Sequence, residues 1–122
     1  MAGSVMTFTE TIYTTVKKIK CTWTSDDTTG AVSGTTAEVY SGRLFGAITV
    51  PSAVAAPTAL YDIAVNDGDS VDVALGTLAD RSATATEYRA EASMAGMANS
   101  KLTVAITNAG NSKQGTLYLF IR

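Results

Sequence analysis

The chain has 122 residues, 46% of them hydrophobic and 16% charged, with a formal net charge of −2 and no histidine. That length gives one domain, 1–122, whose core needs neither disulfide nor metal to fold, and the absent histidine removes the usual general base, the triads built on it and the commonest metal ligand. With no basic block beyond Lys17, Lys18 and Lys20, the balance also argues against a nucleic-acid partner, which needs clustered cations.

Period-two alternation and β-branched residues run through the chain, so the expected class is all-β. Residues 7–13 are strand formers. Over 16–25, Lys17, Ile19, Cys21 and Trp23 alternate with Lys18, Lys20, Thr22 and Thr24, which makes a half-buried strand. Cys21 is the single cysteine and belongs in the core as a structural thiol. Residues 25–30 read as a turn-rich loop. A short strand is expected over 35–40, and Ser41-Gly42 turns it into a strand over 43–50, with Leu44, Ile48 and Val50 on one side and Phe45, Ala47 and Thr49 on the other. Pro51 and Pro57 mark 51–58 as a connection.

Residues 59–65 alternate again, with Tyr61, Ile63 and Val65 inward, and Asp67-Gly68 predicts a tight hairpin to a return strand over 70–75 with Val71, Val73 and Leu75 inward. The run 76–99, rich in Ala, Ser and Thr, allows a short helix over 84–97 or a long ordered loop that docks on a partner. Residues 101–108 form a strand with Leu102, Val104 and Ile106 inward. The last strand, 115–122, is apolar on both faces, so it is central or covered by another subunit. Seven or eight short strands with turns between them predict a single-domain β-sandwich, jelly-roll-like, with one long loop or short helix.

Little chemistry is on offer. No phosphate-cradling glycine loop is present. Asp62, Asp67, Asp69 and Asp72 form the densest acidic group; Asp67 and Asp69 could begin a calcium loop, but a solvated hairpin tip explains them as well. Asp80, Glu87 or Glu91 would have to supply any carboxylate pair for sugar hydrolysis. Trp23 shares a face with Ile19 and Cys21, which makes it core before it makes it a sugar platform. The first six residues carry no secretory pattern, and no run reaches the ~20 apolar residues of a membrane helix. No catalytic residue, metal, cofactor or small-molecule substrate is expected.

Three stretches carry a resemblance. They are residues 15–26 around Lys20-Cys21-Thr22-Trp23, residues 61–73 around Asn66-Asp67-Gly68-Asp69 together with 79–82, and residues 108–116 around Asn108-Ala109-Gly110-Asn111. In these the chain resembles small structural proteins of tailed-bacteriophage virions, and is similar to capsid decoration (cement) proteins. The resemblance implies a non-catalytic protein made in the host cytoplasm, which binds the outside of a capsid and stabilises capsomer contacts. Its implied partners are the major capsid protein and copies of itself. A neck or tail subunit, or a glycan-binding module using Tyr40, Tyr61 or Tyr88, are the alternatives. Expected assembly contacts lie on an N-terminal arm over 1–12 (Val5, Phe8, Ile12), on the loop 79–97 (Arg81, Tyr88, Arg89, Met94) and at the C-terminal edge (Phe120, Arg122).

Overall fold

Alternating apolar and polar residues force each strand to hide one face, and the strands do so by pairing into two antiparallel sheets. The computed structural model describes residues 4–90 and 94–122. Among them no helix occurs, and the strands are β1 (Val5–Ile12), β2 (Lys17–Thr24), β3 (Val32–Thr35), β4 (Tyr40–Pro51), β5 (Asp62–Asn66), β6 (Glu87–Ala90), β7 (Gly96–Ser100), β8 (Thr103–Thr107) and β9 (Gln114–Ile121). One sheet has the order β1-β2-β9-β4-β6, with β7 on a different stretch of β4; the other has the order β3-β8-β5. Pairing is nested. Early strands meet late ones in reverse order: β2 with β9, β3 with β8, β4 with β7.

The inward residues of both sheets belong to one hydrophobic cluster. Ile19, Cys21 and Trp23 of β2, Leu117, Leu119 and Ile121 of β9, and Leu44 and Ala47 of β4 meet Val32, Ile63, Val65, Val104 and Ile106 of the smaller sheet. Trp23 and Tyr61 join the two, their rings 5.6 Å apart between centroids. Of the two readings open for 115–122, central or covered by another subunit, the strand order bears on the first: β9 lies inside its sheet, between β2 and β4.

Five local expectations give way. The strand placed at 35–40 is split: β3 ends at Thr35 and β4 begins at Tyr40. Ser41-Gly42 is no turn but lies inside β4, at a register shift where Gly42 takes φ 138° and a Cβ would strike the carbonyl oxygen of Arg122. A second shift, between Leu44 and Gly46, bulges Phe45 and exchanges the faces beyond it. Leu44 is therefore buried with Ala47 and Thr49, while Ile48 and Val50 turn outward.

The Asp-Gly turn exists, with Ser70 donating to the Asp67 carbonyl at 3.1 Å, but its return arm is not a strand. Asp72 explains why. Its carboxylate accepts the Val65 amide at 3.1 Å, which a return strand would bond, and also those of Ala74 and Gly76. Only Val73 of the expected inward set is buried; Val71 and Leu75 are exposed. Finally, 76–99 is neither helix nor a single long loop, because β6 and most of β7 are drawn from it by the unpaired side of β4.

Burial pushes the Cys21 thiol up to about 12. A thiol reagent should therefore label Cys21 only as fast as the domain opens. Stoichiometric labelling of the folded protein in the first seconds, read by mass spectrometry, would show the opposite.

Candidate assembly surface

The outward face of the larger sheet follows from strand register. One cross-strand row reads Thr11, Lys18, Phe120, Gly46; the next reads Thr9, Lys20, Tyr118, Ile48, Tyr88; a third reads Thr7, Thr22, Thr116, Val50. No carboxylate stands in these rows. Apolar and aromatic groups fill the β9–β4–β6 side, and cations line the β2 side and the chain end.

The cations are held against the rings. Lys18 Nζ lies 5.3 Å from the centre of the Tyr118 ring, and the Arg122 guanidinium carbon lies 4.5 Å from that of Phe45. Phe45, pushed out by the bulge, meets Phe120 at 6.1 Å. Tyr88, 58% exposed, lies across Gly46, where no side chain intervenes. Each exposed cation–π contact contributes about 0.5–1 kcal/mol, enough to bias where the charge sits. The result is a positive, aromatic sheet face on which Phe45, Ile48, Tyr118 and Phe120 are half-buried and Tyr88 is exposed.

β1 forms one edge of the larger sheet. It is paired with β2 along its whole length, so 5–12 is an integral strand and not a projecting arm. Met6 and Phe8 lie against Gly34 of β3. Glu10 closes the seam: its carboxylate accepts from the Tyr40 hydroxyl at 2.7 Å and from the Ala37 and Glu38 amides at 3.0 and 3.1 Å. Burial opposes the charge on Glu10, but those hydrogen bonds and the nearby Lys101 outweigh it and hold its carboxyl below the ordinary value. Val5 and Ile12, at the ends of β1, are exposed.

Along the free side of β5, an edge of the smaller sheet, runs segment 71–81. Its backbone bonds β5 through Val73 to Val65, Ile63 to Leu78 and Arg81 to Tyr61. The carboxylates here serve the chain's own donors: Asp62 takes the Asp80 amide and the Asn108 side chain, and Asp67 takes the Asp69 and Val71 amides. Leu60, Ser70, Leu75 and Asp80 all have positive φ. Left-handed backbone costs a non-glycine residue about 1–2 kcal/mol, and Leu60 and Leu75 stand 62% and 58% exposed besides.

Of the residues expected to make contacts, Tyr88, Phe120 and Arg122 come together on the sheet face, whereas Arg89, exposed on β6, pairs with inward Ala47 and so stands on the other face from Tyr88. Phe8 is half-buried against the core. Arg81 and Met94 are corrected to interior residues, at 3% and 5% exposure. Arg81 is held inward because its Nε and Nη2 donate to the Ala79 carbonyl at 3.0 and 2.9 Å and its Nη1 lies 3.3 Å from Glu87.

Phe45, Ile48, Tyr118, Lys18 and Lys20 were not among those expectations. The two-faced apolar pattern of β9 was the signal for Tyr118, while Phe45 needed knowledge of the bulge. Tyr40, Tyr61 and Trp23 are buried and offer no sugar platform. Glu87 is committed to Arg81 and the Ser82 amide, and Glu91 lies outside the described residues. Among the described residues no group of His, Cys, Asp or Glu could hold a metal ion, and no helix is long and apolar enough to cross a membrane. Compared with family models, curated proteins and solved structures, the chain matches none.

The Glu10 contribution is in force above its ordinary value of 4.5 and fades as pH falls through the lowered folded value. Glu10→Gln should cost about 1–2 kcal/mol near neutral pH, by urea denaturation, with the gap to wild type closing in acid; a pH-independent gap would contradict the clamp. Glu87→Ala leaves the Arg81 guanidinium without its counter-charge and should cost about 3 kcal/mol. A loss under half that size would place Arg81 in contact with water.

Proposed function

We propose that this chain is a non-catalytic virion structural protein that binds the outside of a phage capsid and stabilises the contacts between capsomers. Its two sheets are read as facing layers of a jelly-roll sandwich. The nested pairing of β2 with β9, β3 with β8 and β4 with β7 supports that reading, because a long hairpin rolled into two layers pairs its strands in this order, and such rolls recur in viral coats. The resemblance of 15–26, 61–73 and 108–116 to decoration proteins points the same way.

The observation that carries the proposal is the sheet face itself. A surface of Phe45, Ile48, Tyr118, Phe120 and Tyr88 edged with Lys18, Lys20 and Arg122 carries no Asp or Glu side chain among the described residues. Aromatic residues and arginine are what protein interfaces enrich. The partners are the major capsid protein and copies of the chain, and the place of work is the capsid exterior. The β1 edge is the shell contact, since an edge strand with exposed apolar ends can add to a neighbour's sheet.

The energetics are those of linkage. A protein that binds only the expanded shell stabilises it by about 2.7 kcal/mol per site when present at a hundredfold excess over its Kd. Repetition over many sites multiplies a modest affinity.

Val5→Glu with Ile12→Lys changes two exposed side chains and should leave the fold within about 0.5 kcal/mol of wild type. The double variant should fail to cosediment with expanded capsids that wild type binds. Equal binding of the two would sink the assignment of β1.

A further inference from the structure

The larger sheet's outward face and the β5 edge are complementary in two respects at once. Among the described residues the face carries Lys18, Lys20 and Arg122 beside aromatic rings and no Asp or Glu side chain. The edge carries acids among exposed aliphatic side chains, and its one cation, Arg81, is buried against Glu87. Each surface has the charge that the other lacks, and each leaves apolar area in water.

We infer that the acidic β5 edge of one copy docks on the cation–aromatic sheet face of the next, so that copies join head to tail. The inference rests on the assembly reading above and names which surfaces of the chain meet. Like charges decide the geometry. Two faces brought together would set lysines against lysines, and two edges would set aspartates against aspartates. Unlike surfaces are what remain, which makes the contact heterologous, and such contacts close into rings or run on as filaments.

Leu60 and Leu75 supply the apolar part. Both hold a left-handed backbone conformation that glycine or asparagine would take more easily. Both also point more than half of their surface into solvent. Neither choice helps the isolated fold, whereas a leucine that enters a ring-lined surface gains from both exposure and position. Val71, exposed between them in sequence, extends the same apolar edge.

Sedimentation velocity tests this on the whole chain. Wild type should sediment as an oligomer, and added salt should weaken its association by about tenfold. The face variant Lys18→Glu with Lys20→Glu and the edge variant Asp69→Lys with Leu75→Gly should each be monomeric, with native tryptophan emission. Leu75→Gly also relieves the backbone, so the edge variant should not be lost through unfolding. Mixed in equal amounts, the two should form a one-to-one dimer, because one retains a good edge and the other a good face.

A wild type that stays monomeric, association indifferent to salt, or a mixture that stays monomeric overturns the contact. The shell reading is separable. Monomers that still decorate capsids refute this contact alone, and oligomers that never join a shell refute the shell reading alone.

Discussion

The indole of Trp23 takes the space that a side chain at position 115 would need. A Cβ on Gly115 would lie 2.6 Å from its Cζ2, so the cross-strand pair Trp23–Gly115 works only with glycine on β9. From the other side Tyr61 closes on the same indole. One aromatic group thus sets β2 against β9 and joins the smaller sheet to the larger. Register depends on it, because a slip of one residue would carry Tyr118 and Phe120 inward and Leu117 and Leu119 out. The outward face exists as a consequence of how the core is locked.

Polar groups in the interior serve the same end. Ser25, fully buried, donates to the Gly110 carbonyl and accepts the Lys113 amide at 2.8 Å, which ties the end of β2 to the loop before β9. Glu10 ties the edge strand to the chain entering β4, and Arg81 ties β6 to the segment along β5. None of these is a catalytic arrangement. Each satisfies backbone donors or acceptors that the turns would otherwise leave open. Leu60 and Leu75, by contrast, combine a left-handed backbone with an exposed apolar side chain, from which the fold gains nothing.

Strands with clean alternation were legible from the residues alone: β2, β5, β8 and β9 lie where the pattern put them, the first three with the expected side chains inward. The misses share a cause. Period-two reading assumes an unbroken register, and the bulge at Phe45 reverses it within β4, exchanging Ile48 and Val50 for Ala47 and Thr49. Asp72 shows a second kind of override, in which a side chain takes the backbone partner of a strand and turns the arm into a series of turns. β6 and β7 are held by the free side of β4, a long-range pairing that their Ala- and Ser-rich composition does not announce. For the surface, Phe120 and Arg122 were visible as the end of a two-faced strand. Their gathering with Phe45, Ile48 and Lys18 depends on strand order, which no local pattern encodes.

Hydroxyl-radical footprinting of the assembled protein against a variant kept monomeric bears most directly on the role given to the sheet face. Oxidation at Tyr88, Tyr118 and Phe45 should fall sharply on assembly, while Tyr13, beyond that face, should change little. Unaltered oxidation of those rings in the assembled state would mean that the face stays in water and that the account of this surface is wrong.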